Sequence, residues 1–384
     1  MVENSLNFTS SIEAPRVAMF IDSLDPGGAE SMVVQLSSQL IERGVRVNLL
    51  HFGNEWLESH AAKAGIPIAR LRFHPAFRSK WLLPLFCLYL AAKLRHEKVE
   101  LLHAHLIGAV FAGALAGWIA RLPVVGTLHD SYSIRENPKS RLMLSVCRLT
   151  NVQLVAVSAD IANLVAKSSQ QQVCVHTIYN GVVANYPCGI SVNEISQEKT
   201  TESDTVRLVV VARLVPVKRI DRLFRILAKV DSRATWSLDI LGDGPLRDEL
   251  EGQARFLGIE SRVNFLGFVD QIPDKLHEYE VFLMSSDPEG LSMSLLEAMS
   301  AGLCCIVSDV GGNKELIRHR ESGVVVDAAD EAKFAHEVSQ ILDSPSTRHS
   351  FGNAAQERAT SKFGLELMTD RYQHLYSKIS KQIS

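Results

Sequence analysis

The 384-residue sequence predicts an α/β protein made of two parallel-sheet domains. Short apolar runs of strand length alternate with helix-length stretches along almost the whole chain, the pattern of a parallel sheet covered by helices on both faces. The alternation stops once, in a polar stretch between Tyr186 and Thr205, and then resumes. A chain of this length also exceeds one ordinary core and suits two domains of similar size.

The first series opens with a strand at 17–21 and a helix at 29–43 that carries Val33, Leu36 and Leu40 on one face. Strand-like runs follow at 45–52, 68–71, 101–105, 124–128, 154–157 and 175–178, with a helical pattern at 55–64. The apolar run 106–120 is shorter than the ~20 residues of a membrane-spanning helix and reads as a buried helix. Asn180-Gly181-Val182 closes this half. The second series has strands at 206–211, 281–284 and 324–326 and strand-and-turn segments at 238–246 and 263–269. Its helices start near 220 and 292 and cover 331–342, 347–362 and 365–383. Cys304-Cys305 lies in an apolar run and reads as two small core residues.

Hydrophobic residues make up 46% of the chain and charged residues 22%, which describes a soluble globular protein. A net charge of −3 gives no global case for binding nucleic acid. The six cysteines show no C-x-x-C spacing, so reduced cytosolic thiols are expected. Residues 1–15 lack the charged start and apolar core of a signal peptide. A cytoplasmic protein is expected.

Ligands of parallel sheets gather at the carboxyl ends of strands, so those ends are where to search. After the first strand comes Asp25-Pro26-Gly27-Gly28-Ala29-Glu30, a Gly-Gly turn that either simply reverses the chain or lets a phosphate or sugar reach the backbone. His103 and His105 flank one strand end, and Thr127-Leu128-His129-Asp130 closes another before a polar loop over 131–138. His129 is the better candidate; a zinc site from the three histidines lacks a helical i, i+4 pair or a cysteine partner. The strand at 206–211 ends in Ala212 to Arg219, where Arg213 and Lys218 can grip a diphosphate or form an ordinary basic loop.

Ser285 to Met299 is the richest stretch. Glu289 falls in a strand-to-helix turn and Glu297 inside the helix that follows, with Gly290 and Leu291 offering backbone N–H groups to an anion. Carboxylates that accept from hydroxyls, beside donors for phosphate, form the chemistry that holds a nucleotide-sugar. Between Arg70 and Lys98, basic residues and Trp81 bracket the apolar run 82–92. That segment is either a buried helix with solvated ends or an interfacial helix at a membrane.

Glu289-Gly290, Glu297-Ala298-Met299 and Ser308 to Ile317 resemble the signature of glycosyltransferase family 4. So, in order, do Gly27-Gly28-Ala29-Glu30, His129, Asn180-Gly181-Val182, Arg213 with Lys218, Gly242-Asp243-Gly244 and Gly267. Ala212 and Arg219 stand where the family carries glycines. The resemblance implies two Rossmann-like domains facing across a cleft: an acceptor domain over 1–186, a linker over 187–205, and a nucleotide-sugar domain over 206–364. The C-terminal helix would cross back to the first domain. It further implies a retaining transferase that uses a nucleotide-sugar, UDP-linked rather than GDP-linked, with no cofactor and no metal. His129 and Glu289 would contact the transferred sugar and Glu297 the ribose. Gly27, Gly28, Arg213, Lys218, Gly290 and Leu291 would complete the donor site, with Gly267 and Val269 at the base. The implied partners are a glycan or polyprenyl-linked acceptor and a membrane surface touched through 70–98, at the inner face of the plasma membrane.

Two other function classes fit the sequence less well. A dinucleotide-dependent oxidoreductase is disfavoured, because Gly27-Gly28 lacks the G-x-G-x-x-G spacing and no acidic residue is suitably placed after the second strand. A non-catalytic nucleotide-sugar-binding or scaffold protein would share the fold, but retention of Arg213, Lys218 and both glutamates speaks for catalysis.

Overall fold

The computed structural model describes residues 15–135, 139–170, 172–183, 205–287 and 289–381. Seven strands form the first sheet: β1 (Arg16–Ile21), β2 (Arg46–His51), β3 (Ile68–Arg70), β4 (Leu101–His105), β5 (Val124–Leu128), β6 (Gln153–Ala156) and β7 (Val175–Thr177). Their order is β3-β2-β1-β4-β5-β6-β7, and all neighbours run parallel. Six more form the second: β8 (Thr205–Val211), β9 (Thr235–Leu241), β10 (Val263–Gly267), β11 (Val281–Met284), β12 (Cys304–Ser308) and β13 (Val324–Val326). This sheet has the order β10-β9-β8-β11-β12-β13 and is parallel throughout. Strands β4, β5, β11 and β12 are buried at every position because helices cover both faces.

The strand order reverses between β1 and β4 in one sheet and between β8 and β11 in the other. At such a reversal the loops leaving adjacent strands part in opposite directions and open a crevice. The candidate residues follow β1, β5, β8 and β11, so the topology itself gathers them.

The expected elements are present with shifted ends, and the structure adds to or corrects the reading in three places. Cys304 and Cys305 are buried core residues, as expected, but they also begin β12, a strand between β11 and β13. Within the expected loop 131–138, Tyr132–Arg135 is a short helix. His103 and His105 do not merely flank a strand end; both lie fully buried within β4. Of the linker expected at 187–205, residues 187–204 lie outside the described residues.

The segment 82–92 forms the helix Leu83–His96, and the buried-helix reading describes one of its faces. Phe86, Cys87, Leu90, Ala91 and Leu94 are buried, whereas Trp81, Leu82, Leu85 and Leu88 are exposed. Among the described residues, no helix is long and apolar enough to cross a membrane.

The helix Leu365–Lys381 returns to the first sheet and packs on the helix Gly28–Glu42. The two passages between domains are hydrogen-bonded: Val182 N–H donates to Phe363 O at 2.8 Å and Leu365 N–H to Val182 O at 2.9 Å. A Cβ on Gly181 would lie 2.6 Å from Leu365 Cα, a backbone atom that cannot swing aside. The Asn-Gly-Val motif thus marks where the chain passes itself. Gly181→Ala should destabilise the protein by about 1–3 kcal/mol through this overpacking, read as a lower urea midpoint. An unchanged midpoint would mean that the crossing yields without cost.

Candidate active site

The loop after β1 holds Asp22 and Gly27, and Gly28 and Glu30 lie in the first turn of the helix that follows. Glu30 is buried and its carboxyl is pushed up by that burial, partly offset by Ser23 and by the charge of Arg213 on the other domain. A Cβ on Gly27 would lie 2.9 Å from Glu30 Oε2, and one on Gly28 would lie 3.0 Å from Met293 Cγ. Both glycines therefore sit tightly against side chains, one of them across the cleft. Burial also pushes Asp22 up to about 6, and its Oδ1 is buried without a hydrogen-bond partner among the described residues.

At the end of β5, His129 sits with Nε2 3.1 Å from Nδ1 of His105. Burial pushes the His129 imidazolium down to about 3, so the ring is neutral at any working pH. Its backbone carbonyl faces the other domain, where a Cβ on Gly290 would lie only 1.9 Å from that oxygen. The zinc alternative fails on this geometry. The three histidines do gather, but His103 is bonded to Tyr376 and Thr127 and His105 to His129.

Across the cleft, Arg213 is exposed just beyond β8, and Lys218 ends a short 3-10 turn, Pro216–Lys218. Lys218 Nζ lies 2.6 Å from Glu289 Oε1, both groups largely buried, so the two predicted donor-site residues are paired with each other. Arg219, where a family glycine was expected, adopts φ +49 and ψ +42. Its guanidinium bonds Asp221 at 3.1 Å and Asp287 at 3.0 Å, and its carbonyl accepts from the Ser285 hydroxyl at 2.7 Å. The left-handed backbone is thus kept without glycine, and the loop is tied to the end of β11.

The helix expected from Ser292 runs over Met293–Ser300, with the Ser292 hydroxyl accepting from Leu295 N–H. Gly290 and Leu291 consequently precede the first turn. They are buried rather than open, with Gly290 O accepting from Gly312 N–H at 3.1 Å. Close approach at Gly290 is real, but the approaching group is the His129 carbonyl. Glu297 lies inside the helix, and burial alone pushes its carboxyl up to about 7. Gly267, at φ +71, accepts through its carbonyl from Gly242 N–H at 2.7 Å, and Val269 is half-buried beside it.

Two further contacts bridge the domains. Asp270 accepts from Trp56 Nε1 at 3.0 Å and pairs with His60 at 3.0 Å and Lys63 at 3.3 Å. Glu315 accepts from the backbone N–H groups of Ala159 and Asp160 at 2.8 and 2.9 Å, a carboxylate from one domain capping a helix of the other. A separate cavity of about 510 Å³, between β7 and the C-terminal helix, is lined by none of these residues. Two residues of this region are not evident from the sequence: Asp22, whose one signal is being the first polar residue after an apolar strand, and Asp270, which follows Val269.

The family described as Glycosyl transferases group 1 matches residues 191–358, and Glycosyltransferase Family 4 matches residues 26–186. The chain is 25% identical to an N-acetyl-alpha-D-glucosaminyl L-malate synthase of Bacillus anthracis, over 91% of this chain and 93% of that protein. It is 30% identical to EpsF of Bacillus subtilis, which bears the name "Putative glycosyltransferase EpsF", over 77% of this chain and 79% of that one. A lipopolysaccharide core biosynthesis glycosyltransferase, LpsE of Rhizobium meliloti, is 27% identical over 91% and 95%. Among solved structures, Anabaena Alr3699/HepE in complex with UDP and glucose superposes with a TM-score of 0.81 at 22% identity, over 95% of this chain and all of that one. That likeness bears out the fold: two parallel-sheet domains of the glycosyltransferase B type.

Glu297 generates a prediction about stability. Its carboxyl is raised from 4.5 to about 7, so the folded state holds the proton more tightly than the unfolded state. Stability is therefore full below the unfolded value and falls as pH rises through the folded one. Glu297→Gln should be more stable than the parent at pH 8, by up to about 3 kcal/mol, with the gap closing at pH 5. Urea midpoints at the two pH values measure this. A gap independent of pH would mean that the carboxyl is not strained by burial.

Proposed function

Since the chain belongs to glycosyltransferase family 4, we propose that it moves a sugar, with retention of anomeric configuration, from a nucleoside-diphosphate sugar to an acceptor hydroxyl. UDP is favoured over GDP as the donor nucleotide, and no divalent metal is required. The observation that carries this reading is the Lys218–Glu289 pair with Arg213, set at the strand-order reversal and facing His129 across the cleft.

The pairing suggests how binding prepares the site. A diphosphate competes with Glu289 for Lys218, and Arg213 supplies the second cation. Glu289, released, accepts hydrogen bonds from the transferred sugar. As the bond to the leaving diphosphate breaks, Arg213 and Lys218 stabilise the charge that develops on it. Glu297 accepts from ribose hydroxyls, which favours its ionised form and draws its raised carboxyl back down. Neutral His129 orients the sugar from the opposite wall by hydrogen bonding, without exchanging its charge. Contacts of Gly290, Asp270 and Glu315 across the cleft keep water from competing with the acceptor.

The acceptor is proposed to be a glycan or polyprenyl-linked glycan in surface polysaccharide or glycolipid assembly at the inner face of the plasma membrane. The name of the Rhizobium relative supports that setting, and so does the outer face of the helix Leu83–His96. Trp81 is 80% exposed, Leu85 61% and Leu88 52%, an apolar strip that water alone does not favour. Lys80 lies over the Trp81 ring, while Lys93 and Arg95 are bound to Glu97 and to the carbonyls of Ile119 and Ala120. The strip is thus more apolar than basic.

Calorimetry without added metal, comparing UDP, GDP, ADP and CMP, tests the donor site. UDP should bind selectively, and Arg213→Ala should weaken binding and reduce transfer about 100-fold or more with little change in the urea midpoint. Binding of none of them would remove the donor-site reading and favour a scaffold role. Retention of full transfer by Arg213→Ala would remove the diphosphate assignment alone. The membrane reading has its own test. Trp81→Ser combined with Leu85→Ser should abolish co-sedimentation with anionic phospholipid vesicles; pelleting equal to the parent's would refute docking through this helix.

A further inference from the structure

A column of buried polar groups stands behind His129. His103 and His105 both project from β4, their ring centroids 4.0 Å apart. His103 lies between Tyr376 OH and Thr127 Oγ1, each 2.7 Å from a ring nitrogen, and Thr127 Oγ1 is 3.1 Å from Tyr372 OH. The two tyrosines come from the C-terminal helix, the histidines and threonine from adjacent strands whose register pairs His105 with Thr127. His105 completes the column through its 3.1 Å contact with His129 Nε2. The next residue, Leu106, has φ +73 and ψ +150, a conformation that is costly for a leucine and that turns the chain sharply at this point.

One proton lies between His105 Nδ1 and His129 Nε2, and the surroundings decide which ring carries it. Both rings are neutral, because burial lowers the basicity of each. His105 Nε2 is buried with no hydrogen-bond partner among the described residues. If His129 donated, the proton of His105 would sit on that Nε2 as a buried N–H with no acceptor. If His105 donates, Nε2 keeps only an unused lone pair. Orphaned buried N–H groups are the rarer of the two.

We infer that His105 is a positioning residue: it donates from Nδ1 to Nε2 of His129 and so leaves the His129 proton on Nδ1. That nitrogen makes no hydrogen bond among the described residues, and His129 is half-buried at the strand end. His129 accordingly meets the cleft as a donor to a substrate oxygen. His105 enforces the Nδ1–H form, which free histidine does not favour. The consequence for turnover rests on the function proposed above; the tautomer itself does not.

The experiment is long-range proton–nitrogen NMR of the full chain labelled with ¹⁵N-histidine, with His129 assigned by the signal lost in His129→Gln. The parent should show His129 protonated on Nδ1. In His105→Phe, which keeps a ring but no donor, the proton should shift towards Nε2. Its kcat should fall about tenfold or more while UDP affinity is unchanged. His105→Asn, whose amide can donate from near the Nδ1 position, should keep the tautomer and most of kcat. A parent His129 protonated on Nε2 would overturn the inference, even if His105→Phe fails to fold. A shifted tautomer with unchanged kcat would also overturn the positioning role. If no donor nucleotide binds, the proposed function fails, yet the tautomer is still read independently.

Discussion

Between Gly290 and the carbonyl of His129 there is no room for a single carbon atom, and the geometry of the cleft depends on that contact. The packing continues beneath it. A Cβ on Gly311 would lie 1.8 Å from Glu289 O, and Gly312 donates its N–H to Gly290 O. Backbone of the 311–312 loop lies on backbone of 289–290, which lies on backbone of the first domain. A contact made by main chain has no rotamers to lose, so it fixes Glu289 and His129 relative to one another more sharply than side-chain packing would. Glu315 and Asp270 clamp the same closure from either side.

Charge inside this closed cleft is rationed by burial. Lys218 pairs with Glu289, His129 stays uncharged, and burial raises the carboxyls of Asp22, Glu30 and Glu297 from their ordinary values. Ionised carboxylates in the cleft would repel the diphosphate proposed to bind there; raised ones hold their protons more readily until a hydrogen-bond donor arrives. Stability and binding therefore make opposite demands on Glu297, and the fold tolerates the conflict by placing it in a helix whose other residues are nearly all buried and apolar. Arg219 shows a comparable compromise. A left-handed arginine costs roughly 1–2 kcal/mol, and ion pairs about a third exposed return less than about 1 kcal/mol each, so two of them and the Ser285 bond are all engaged at that one turn.

What the sequence made legible were features set by local rules. Apolar runs gave the parallel sheets, strand ends gave the positions of His129, Arg213 and Glu289, and helical spacing of apolar residues gave the helix start near Ser292. Features set by distant neighbours were not legible. Cys304 to Val307 carries no turn signal of its own, and it became strand β12 only because β11 and β13 lie on either side. Gly290 is small in the sequence for a reason that lies in the distant backbone of His129. The helix Leu83–His96 was ambiguous for a physical reason: its apolar residues cover both faces, and periodicity cannot tell a face against the core from one left bare. Asp22 was overlooked because a lone acid after a strand looks like any turn residue until its burial is known.

The C-terminal helix links these levels. The chain passes between domains at Val182 and again at Gly364, and the two passages are bonded to each other, so movement of one domain against the other is concentrated at a single narrow crossing. The helix that begins there runs back under the first sheet and places Tyr372 and Tyr376 against Thr127 and His103. Those tyrosines are fully or almost fully buried with their hydroxyls engaged, so the helix cannot slide without breaking hydrogen bonds in a low-dielectric interior, where they are expensive to leave unmade. The element that joins the domains is thus also the element that backs the histidine column. The distance from the crossing to His129 is covered by packed groups rather than by loops, and closure of the cleft is transmitted to a ring whose position is already fixed.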